Sequence, residues 1–409
     1  MNIIFSKITA YYKKSKTIIS QHINLIFYIS LILSILIRII GTFYLKSNDY
    51  TMFLSPWIDQ FKNISILDGL RLQTDITDYY VPYNIILIIL SHVPFPSYIG
   101  ISLISCLCDF GISYYIYHCF NKAFPSSQYN KIIAISILLL PFSFIDSAFW
   151  KQCDSIYALF AIASLYYYFT QRYTRAFLLF SIGFVFKLQI IFLLPFYGIL
   201  WLKKHHHSVL QFIWMPLMYL LTGLPSILAG ADPIKIYSIY RNQTTLYTTT
   251  CNSYPNIWNM LPTFVDNPAI MIGIVLAVIM LLLFYQNNLS KISLSSLEDY
   301  LWLSGVTIWT CTMFLPCMHE RYDYLALILL WLYALTTSRK HIPALIIITQ
   351  IIMTRCYATL FHIHLLYILP LSLFSLIYFI LYLRILDEYT NFRILILDFV
   401  QSTFKHNKQ

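Results

Sequence analysis

Long apolar runs separated by short polar turns constrain the fold of this chain more than any other feature. The first run extends from Ile23 to Leu45, and similar runs recur along the sequence. A transmembrane helix needs roughly 20 apolar residues, and the ten-residue alternation of barrel strands is not seen in this sequence. With 59% hydrophobic and 11% charged residues and a mean hydropathy of +0.67, the chain is too apolar for a soluble domain. We therefore predict an all-α, polytopic membrane helix bundle.

The distribution of basic residues predicts the orientation of the helices. Lysines before the first run place residues 1–22 in the cytoplasm, and no cleavable signal precedes that run, so it is a retained anchor. Residues 23–384 then form the transmembrane domain, and residues 385–409 form a basic cytoplasmic tail. Because the positive charge alternates along the chain as topology requires, we attribute the net charge of +10 to orientation and predict no nucleic-acid partner. About twelve spans are predicted: residues 23–45, 98–118, 132–149, 155–170, 175–186, 189–202, 209–228, 268–286, 301–317, 324–337, 342–358 and 364–384.

Two regions depart from a pattern of full crossings. Residues 46–97 are rich in aspartate and predict a first external loop with one or two amphipathic helices lying on the membrane. Pro82–Leu90 within this loop is apolar but too short to cross, and counting it as a span would invert the topology downstream. The pair of helices at 175–202 is also short, which suggests two half-depth helices that meet at Lys187. A lysine at that point needs a cavity or the outer surface.

Short polar motifs interrupt the apolar helices on the predicted outer side. They are far apart in the sequence, but a helix bundle can bring the ends of several loops into one cavity. An aspartate one step outside the first span, Asp49, is unusual unless it has a chemical role. The motifs are Asn48-Asp49-Tyr50, Asp78-Tyr79-Tyr80-Val81-Pro82-Tyr83, Trp150-Lys151-Gln152-Cys153-Asp154-Ser155, Met318-His319-Glu320-Arg321-Tyr322-Asp323, and the loop from Arg241 through Asn256 to Trp258.

These motifs, with Trp57 and Phe186-Lys187-Leu188-Gln189, carry a resemblance to a known superfamily. They resemble the bacterial mannosyltransferases related to the second mannosyltransferase of GPI-anchor synthesis, which belong to the GT-C superfamily. They are similar, more distantly, to the dolichyl-phosphate-glucose glucosyltransferases. The resemblance covers about residues 25 to 335. Lys151 departs from the glycine expected after Trp150 and adds a charge beside the site, and Val81 departs from a proline.

The resemblance implies transfer of a hexose, of the mannose or glucose type, from a polyprenyl-phosphate donor to a lipid-linked or glycan acceptor on the non-cytoplasmic face. We expect an inverting reaction. The acceptor hydroxyl needs a base, for which Asp49 is the candidate. The leaving phosphate needs cations and donors, for which Arg321, His319 and Lys187 are the candidates. Substrate contacts are expected from Tyr50, Asp78, Tyr79, Gln152, Asp154, Gln189, Arg241, Asn256, Trp258 and Glu320.

The resemblance also bears on metal, partners and location. Members of the superfamily differ in their need for metal, so a divalent cation stays open, with Asp154 as its candidate ligand. The implied partners are the polyprenyl-phosphate-linked sugar, the acceptor and membrane lipids. We favour the bacterial inner (plasma) membrane, or the endoplasmic reticulum membrane if the chain is eukaryotic.

Structural explanations stay open beside the chemical ones. Asp49 is alternatively a solvated residue at a helix exit, and the Glu320–Arg321 region a structural ion pair. Arg38 and Asp109 lie at similar predicted depth in the first two spans, which leaves a buried pair between them as one option. The functional alternatives are a membrane transporter or flippase and a non-catalytic partner subunit. A transporter commonly places charges near the membrane midplane and repeats its two halves, whereas these motifs cluster at one surface.

Overall fold

The computed structural model describes residues 21–204, 206–244, 250–252, 254–259, 267–288, 294–337 and 342–358. These residues are predominantly helical, as the apolar runs predict. The α-helices among them are α1 (Ile23–Thr42), α2 (Ser55–Lys62), α3 (Ile66–Ile76), α4 (Val81–His92), α5 (Ser97–Ala123), α6 (Asn130–Ser136), α7 (Pro141–Phe144), α8 (Asp154–Phe169), α9 (Tyr173–Phe186), α10 (Leu194–Lys204), α11 (Trp214–Leu228), α12 (Pro233–Gln243), α13 (Asn267–Asn288), α14 (Leu297–Phe314), α15 (Tyr324–Thr336) and α16 (Ile342–Ala358).

Shorter elements lie where the chain bends between these helices. Two strands of two residues each, β1 (Cys251–Asn252) and β2 (Met318–His319), pair in parallel. π-Helical turns cover Tyr50–Leu54 and Ile145–Trp150, and such turns often occur at functional sites. The 3-10 turns are Ile137–Leu139, Leu188–Leu193, Val209–Ile213 and Ile257–Asn259.

Four of the described helical segments are long and apolar enough to cross a membrane alone, and a fifth candidate bends by 55° between Asn130–Leu139 and Pro141–Trp150. Most of the other predicted spans fall on helices of only 11 to 18 residues. The count of about twelve spans is therefore not confirmed, because a proline and polar breaks divide the apolar runs into shorter helices. The four long segments are Ile23–Thr42, Ser97–Ala123, Val209–Leu228 and Pro268–Gln286.

The predicted first external loop contains three helices, α2, α3 and α4, where one or two were predicted. Local capping explains where they begin. The Ser65 hydroxyl accepts the Asp68 backbone N–H at 3.1 Å and starts α3, and a proline in the first turn starts α4. Buried apolar residues of α2 and α4, among them Phe61 and Leu87, pack with Ile101 of α5 and Ile156 of α8 in a second, smaller core.

The main core and the outer helices differ in what they bury. α14 and α15 bury almost every side chain, including the fully buried Trp302 and Trp309. α1 exposes most of its leucine and isoleucine side chains, as expected of a helix that faces lipid. Gly41 near the end of α1 allows this helix to pack closely against the π-helical turn Ile145–Trp150. A Cβ at this position would lie 2.5 Å from the Phe149 ring.

A buried ion pair joins α1 to α5. Arg38 Nε and Nη2 donate to Asp109 Oδ2 at 3.0 and 2.7 Å. Both side chains are almost completely buried. The pair that the sequence left open between these two helices is therefore confirmed.

The predicted break at Lys187 is also confirmed. α9 ends at Phe186, and the Lys187 backbone is extended, with φ −154° and ψ 131°. The chain continues as the 3-10 turn Leu188–Leu193 before α10 begins. Lys187 therefore lies just beyond the C-terminal end of α9, where the backbone is extended between two helical segments.

Several sequence predictions concern residues outside the described ranges. They include the lysines before residue 21, the span at 364–384 and the basic tail at 385–409. The basic turn that contains Arg339 and Lys340 is likewise outside them. The described residues do not test these predictions.

Candidate active site

Asp49 lies in the turn between α1 and the π-helical turn that follows it. Gln152 Nε2 donates a hydrogen bond of 2.7 Å to Asp49 Oδ2, and Arg321 Nη1 lies 3.4 Å from the same oxygen. The Asp49 side chain retains 21% of its exposure, so a substrate can reach it. Three motifs that are far apart in the sequence therefore meet at this carboxylate.

Asp154 forms a second, more deeply buried acidic position. It is the first residue of α8, where the helix dipole favours a negative charge. Lys187 Nζ lies 2.6 Å from Asp154 Oδ2, and Arg321 Nε lies 3.9 Å from that oxygen. Asp154 Oδ1 makes no hydrogen bond to any described residue. One lone-pair-bearing oxygen thus remains available beside two cations.

Arg321 is the centre of this cluster. Its guanidinium lies within 4 Å of Asp49, Asp154 and Glu320, whose Oε1 is 3.6 Å from Nη1. The guanidinium carbon also lies 4.7 Å from the centre of the buried Trp150 ring. Its Nε is buried and donates to none of the described residues. A planar guanidinium with an unused donor is well suited to contact a phosphate group.

The loop that carries Arg321 is fixed by backbone pairing rather than by a long element. β2 pairs with β1, with Cys251 opposite Met318 and Asn252 opposite His319. The Cys317 N–H donates to the Thr250 carbonyl at 2.8 Å. Two short parallel strands therefore hold the loop between α14 and α15 against the chain that follows α12.

The backbone at Lys151 explains why a glycine would be favoured at this position. Lys151 has φ 63°, in the left-handed region that favours glycine. Its amine does not join the charged cluster; it donates to the Tyr44 carbonyl and to those of Gly41 and Ala148, the last at 3.3 Å. Burial lowers the pKa of Lys151 to about 8. The added charge therefore lies at the end of α1, over the Tyr50 ring and outside the group of charged side chains around Arg321.

Burial shifts the titration of two side chains next to Arg321. It raises the pKa of Glu320 to about 7, an effect that the Arg321 guanidinium partly opposes. It lowers the pKa of His319 well below its usual range, and Arg321 and Lys187 lower it further. His319 is therefore a neutral imidazole at neutral pH, so it can donate a hydrogen bond but does not add the positive charge expected of it.

A cavity of about 650 Å³ opens beside the cluster. Lys187, Gln189, Arg241 and Arg321 are among the polar residues that line it, together with Asp78. Its other walls are apolar. They consist of side chains from the break after α9, from α13 and from the end of α14, among them Phe186, Leu188, Ile191, Phe192, Ile270, Ile274, Leu315 and Pro316. A ligand with one charged end and one apolar end fits such a lining.

The motif after α3 supports the carboxylate from the other side. The Tyr79 hydroxyl donates to Gln152 Oε1 at 3.4 Å, which leaves the amide nitrogen of Gln152 free to donate to Asp49. The Asp78 carbonyl accepts a hydrogen bond of 2.6 Å from Gln243 Nε2. The half-buried ring of Tyr50 lies beneath the Lys151 amine, 5.5 Å from its centroid. Tyr50 therefore contacts the supporting loop, whereas Asp78 and Tyr79 line the cavity.

Asn256 and Trp258, which were predicted to contact substrate, make backbone contacts near the end of α14 instead. Asn256 is buried, and its Nδ2 donates to the Thr312 and Leu315 carbonyls, each at 3.1 Å. Trp258 Nε1 donates to the Phe314 carbonyl at 2.9 Å. Neither is among the residues that line the cavity. Both hold the C-terminal end of α14, so the structure assigns them a supporting place.

Two buried carboxylates near the cluster were not among the predicted site residues. Asp146 lies in the π-helical turn before Trp150, and neither of its oxygens makes a hydrogen bond to a described residue. Its carbonyl accepts the Gln152 N–H at 3.0 Å. Asp323 is fully buried and accepts a hydrogen bond of 3.1 Å from the Tyr254 hydroxyl. A carboxylate inside an apolar run is itself a signal of function, and that signal would have found Asp146.

The arrangement gives little support to a divalent cation at Asp154. No three His, Cys, Asp or Glu side chains in the described ranges come together as a metal site. The charged partners of Asp154 Oδ2 are the cations Lys187 and Arg321, which a metal cation would have to approach against charge repulsion. Of the charged side chains in this cluster, the two cations, Lys187 and Arg321, line the cavity.

Sequence comparisons add no family assignment to this geometry. No protein-family model matches the chain, and no curated protein is significantly similar to it. The interpretation therefore depends on the residues of the cluster, their distances and the cavity that they line.

Proposed function

We propose that this chain is an integral-membrane hexosyltransferase of the GT-C type, which uses a polyprenyl-phosphate sugar as donor. The observation that carries the proposal is the distance of 3.4 Å between Asp49 and Arg321, because Arg321 in turn lines a cavity with polar and apolar walls. The partly exposed Asp49 carboxylate supplies a base, and the neighbouring Arg321 guanidinium, whose Nε donates to none of the described residues, supplies an anion site. About twelve spans, some of them incomplete crossings, belong to the same proposal.

In the proposed reaction, Asp49 is the proton acceptor. The acceptor hydroxyl gives its proton to the Asp49 carboxylate as its oxygen forms a bond to the anomeric carbon. The bond from that carbon to the phosphate oxygen breaks, and the polyprenyl phosphate leaves with the electron pair. Attack from the face opposite the leaving group inverts the anomeric centre. Gln152 orients Asp49 for this step through the hydrogen bond of 2.7 Å.

Arg321 and Lys187 receive the departing phosphate. Both line the cavity, and both lie beside Asp154, which holds their side chains in place. Positive groups that are already in position stabilise the charge that develops on the leaving oxygen without reorganisation. The neutral His319 contributes a hydrogen-bond donor at most. Asp78 lines the cavity and can accept a hydrogen bond from a sugar hydroxyl, whereas Glu320 is buried behind Arg321.

The apolar walls suit the lipid part of the donor. Leu188, Ile191 and Phe192 line the cavity from the 3-10 turn after Lys187, and Ile270 and Ile274 line it from α13. α13 is one of the helices that is long enough to cross the membrane. An isoprenoid chain between these two elements would keep its phosphate beside Lys187 and its tail in lipid.

A transporter or flippase is the alternative, and the break at Lys187 favours it. Transporters often bind their substrates at interrupted helices, and Lys187 lies at such an interruption. A flippase moves the lipid-linked sugar without cleaving it. Movement of the lipid across sealed vesicles without release of polyprenyl phosphate would identify that activity.

The test uses the purified full-length chain in lipid nanodiscs and a panel of polyprenyl-phosphate sugars with acceptor extracts. We expect release of polyprenyl phosphate from one donor and loss of that activity by roughly 100-fold or more in Asp49→Asn. Asp68→Asn is the matched control, because Asp68 is exposed and pairs with Arg71 outside the cavity. Full activity in Asp49→Asn, or no turnover of any donor by the wild-type chain, would contradict the proposal.

A further inference from the structure

A second polar pocket lies at the opposite end of α9 from the candidate active site. α9 begins at Tyr173 beside this pocket and ends at Phe186 beside Lys187, about 20 Å away. The pocket has a volume of about 430 Å³. The polar residues that line it include Gln171, Arg172, Thr174, Arg175, His206 and His207.

The lining is positively charged and contains no carboxylate. Arg172 and Arg175 are both exposed, and neither forms an ion pair with an acidic residue in the described ranges. Arg175 only rests on the Tyr167 ring, 5.9 Å from its centroid. Two guanidinium groups one helical turn apart thus face the pocket without a counter-charge.

The backbone adds further donors at this point. Gln171 has φ 62°, a left-handed turn that reverses the chain just before α9 starts. Arg172 is the N-cap of α9, and no side chain accepts a hydrogen bond there. The first N–H groups of a helix without such a cap point outward and attract anions.

His207 is a separate observation that points to a ligand site. Its side chain is 5% exposed and forms part of the pocket wall. Its Nδ1 lies 2.8 Å from the Tyr168 hydroxyl, whereas its buried Nε2 has no hydrogen-bond partner in the described part of the chain. When the hydroxyl donates to Nδ1, Nε2 carries the proton and needs an acceptor.

The surface next to the pocket is apolar and exposed. Val209, Leu210 and Ile213 are 53%, 72% and 60% exposed, and they begin the candidate span Val209–Leu228. Trp214 follows them, with its Nε1 donating to Gln211 Oε1 at 3.2 Å. Tryptophan with a polar anchor is typical of the membrane–water interface. A cationic pocket and a lipid-facing surface therefore meet at one edge.

We propose that this pocket binds the phosphate of an anionic phospholipid, with Arg172, Arg175 and His207 around the headgroup. The acyl chains lie along the exposed surface of Val209, Leu210 and Ile213. Basic pockets between membrane helices on the cytoplasmic side recognise anionic lipid headgroups in this way. The site is separate from the proposed sugar transfer and does not depend on it.

The first experiment measures lipid binding to the full-length wild-type chain by native mass spectrometry from detergent. Phosphatidylglycerol and phosphatidylcholine with identical acyl chains are compared. We expect roughly tenfold tighter binding of phosphatidylglycerol, which inorganic phosphate at millimolar concentration does not displace. Equal binding of the two lipids would overturn the proposal. Displacement by inorganic phosphate would identify a site for soluble phosphate instead of lipid.

Variants then locate the binding. Arg172→Gln with Arg175→Gln should remove the preference for phosphatidylglycerol. His207→Phe should weaken it severalfold without a change of charge, since the neutral ring contributes one donor. Lys122→Gln with Lys131→Gln removes two cations outside the pocket and should retain the preference. An equal loss in that control pair, or full retention in both pocket variants, would overturn the assignment.

Discussion

Two clusters of buried charge differ in how completely their polar atoms are satisfied. Each nitrogen of the Arg38 guanidinium donates a hydrogen bond. Nε and Nη2 donate to Asp109, and Nη1 donates to the Leu138 carbonyl at 2.8 Å. Asp109 is closed in the same manner, by the Ser147 hydroxyl at 2.6 Å and the Tyr324 hydroxyl at 3.0 Å. Neither Arg38 nor Asp109 lines the cavity beside Arg321 or the pocket at the start of α9.

Around Arg321 the same residue types are arranged in an open manner. Arg321 Nε and Asp154 Oδ1 are buried without a hydrogen-bond partner in the described part of the molecule, and Arg321 lines the cavity of about 650 Å³. Buried polar atoms are normally satisfied, and an exception needs an explanation. The comparison teaches that burial of charge alone does not indicate function; incomplete pairing next to a cavity does.

The largest effect is expected from breaking the closed cluster. Asp109→Asn leaves the Arg38 guanidinium buried without a full counter-charge, which should lower the free energy of unfolding by about 3–5 kcal/mol. Asp154→Asn should cost clearly less, because Lys187 can be hydrated from the cavity. Thermal unfolding of both variants in the same detergent measures the difference. Equal losses would mean that the two clusters are both structural.

The next effect is on catalysis and separates the two arginines. Arg321→Gln removes the cation nearest to the proposed leaving phosphate and should lower the transfer rate by about 100- to 1000-fold, with the fold retained. Arg38→Gln should reduce the amount of folded protein but leave the rate per folded molecule unchanged. Donor hydrolysis normalised to folded protein distinguishes them. A matching drop per folded molecule in Arg38→Gln would remove the distinction.

Much of the fold was predictable because periodic apolar runs report helices directly. The break at Lys187 was predictable too, since a lysine in an apolar run needs a polar environment. The number of spans was not, because length and hydropathy do not tell a full crossing from a short helix buried in the bundle. α15 illustrates this: it is strongly apolar but has only 13 residues and is almost entirely buried.

The sequence predicted which residues belong to the candidate site better than it predicted how they are arranged. Polar motifs at the ends of apolar runs named Asp49, Asp154 and Arg321, which the structure brings together. The sequence did not show that Asn256 turns toward backbone carbonyls. Nor did it show that Lys151 adopts a left-handed backbone and turns its amine away. Both depend on tertiary contacts that no local pattern records.

Lys151 provides a smaller test at the boundary between the two clusters. Its backbone leads into Gln152 of the open cluster, while its amine caps carbonyls near the end of α1. Lys151→Gly and Lys151→Ala lose the same amine, but only glycine is unstrained at φ 63°. The alanine variant should therefore be less stable than the glycine variant by about 1–2 kcal/mol. Chemical unfolding of the pair measures this difference, and identical midpoints would contradict it.

The smallest effect is a pH dependence that the open cluster should show. Burial raises the pKa of Glu320 to about 7, and its Oε1 lies 3.6 Å from Arg321 Nη1. Below pH 7 the Glu320 carboxyl is protonated and neutral. The positive charge of Arg321 is then not offset by Glu320 and attracts the donor phosphate more strongly. Above pH 7 the carboxylate competes with that phosphate. Donor affinity should therefore fall roughly threefold between pH 6 and pH 8.

Two glutamine variants decide whether Glu320 causes that change. Glu320→Gln resembles the protonated form, so its donor affinity should stay high and flat across the same pH range. Glu298→Gln, in the first turn of α14, should keep the wild-type slope. The donor is a phosphodiester whose single charge does not change in this range, so the slope belongs to the protein. A slope that persists in Glu320→Gln would show that another group beside Arg321 titrates near neutrality.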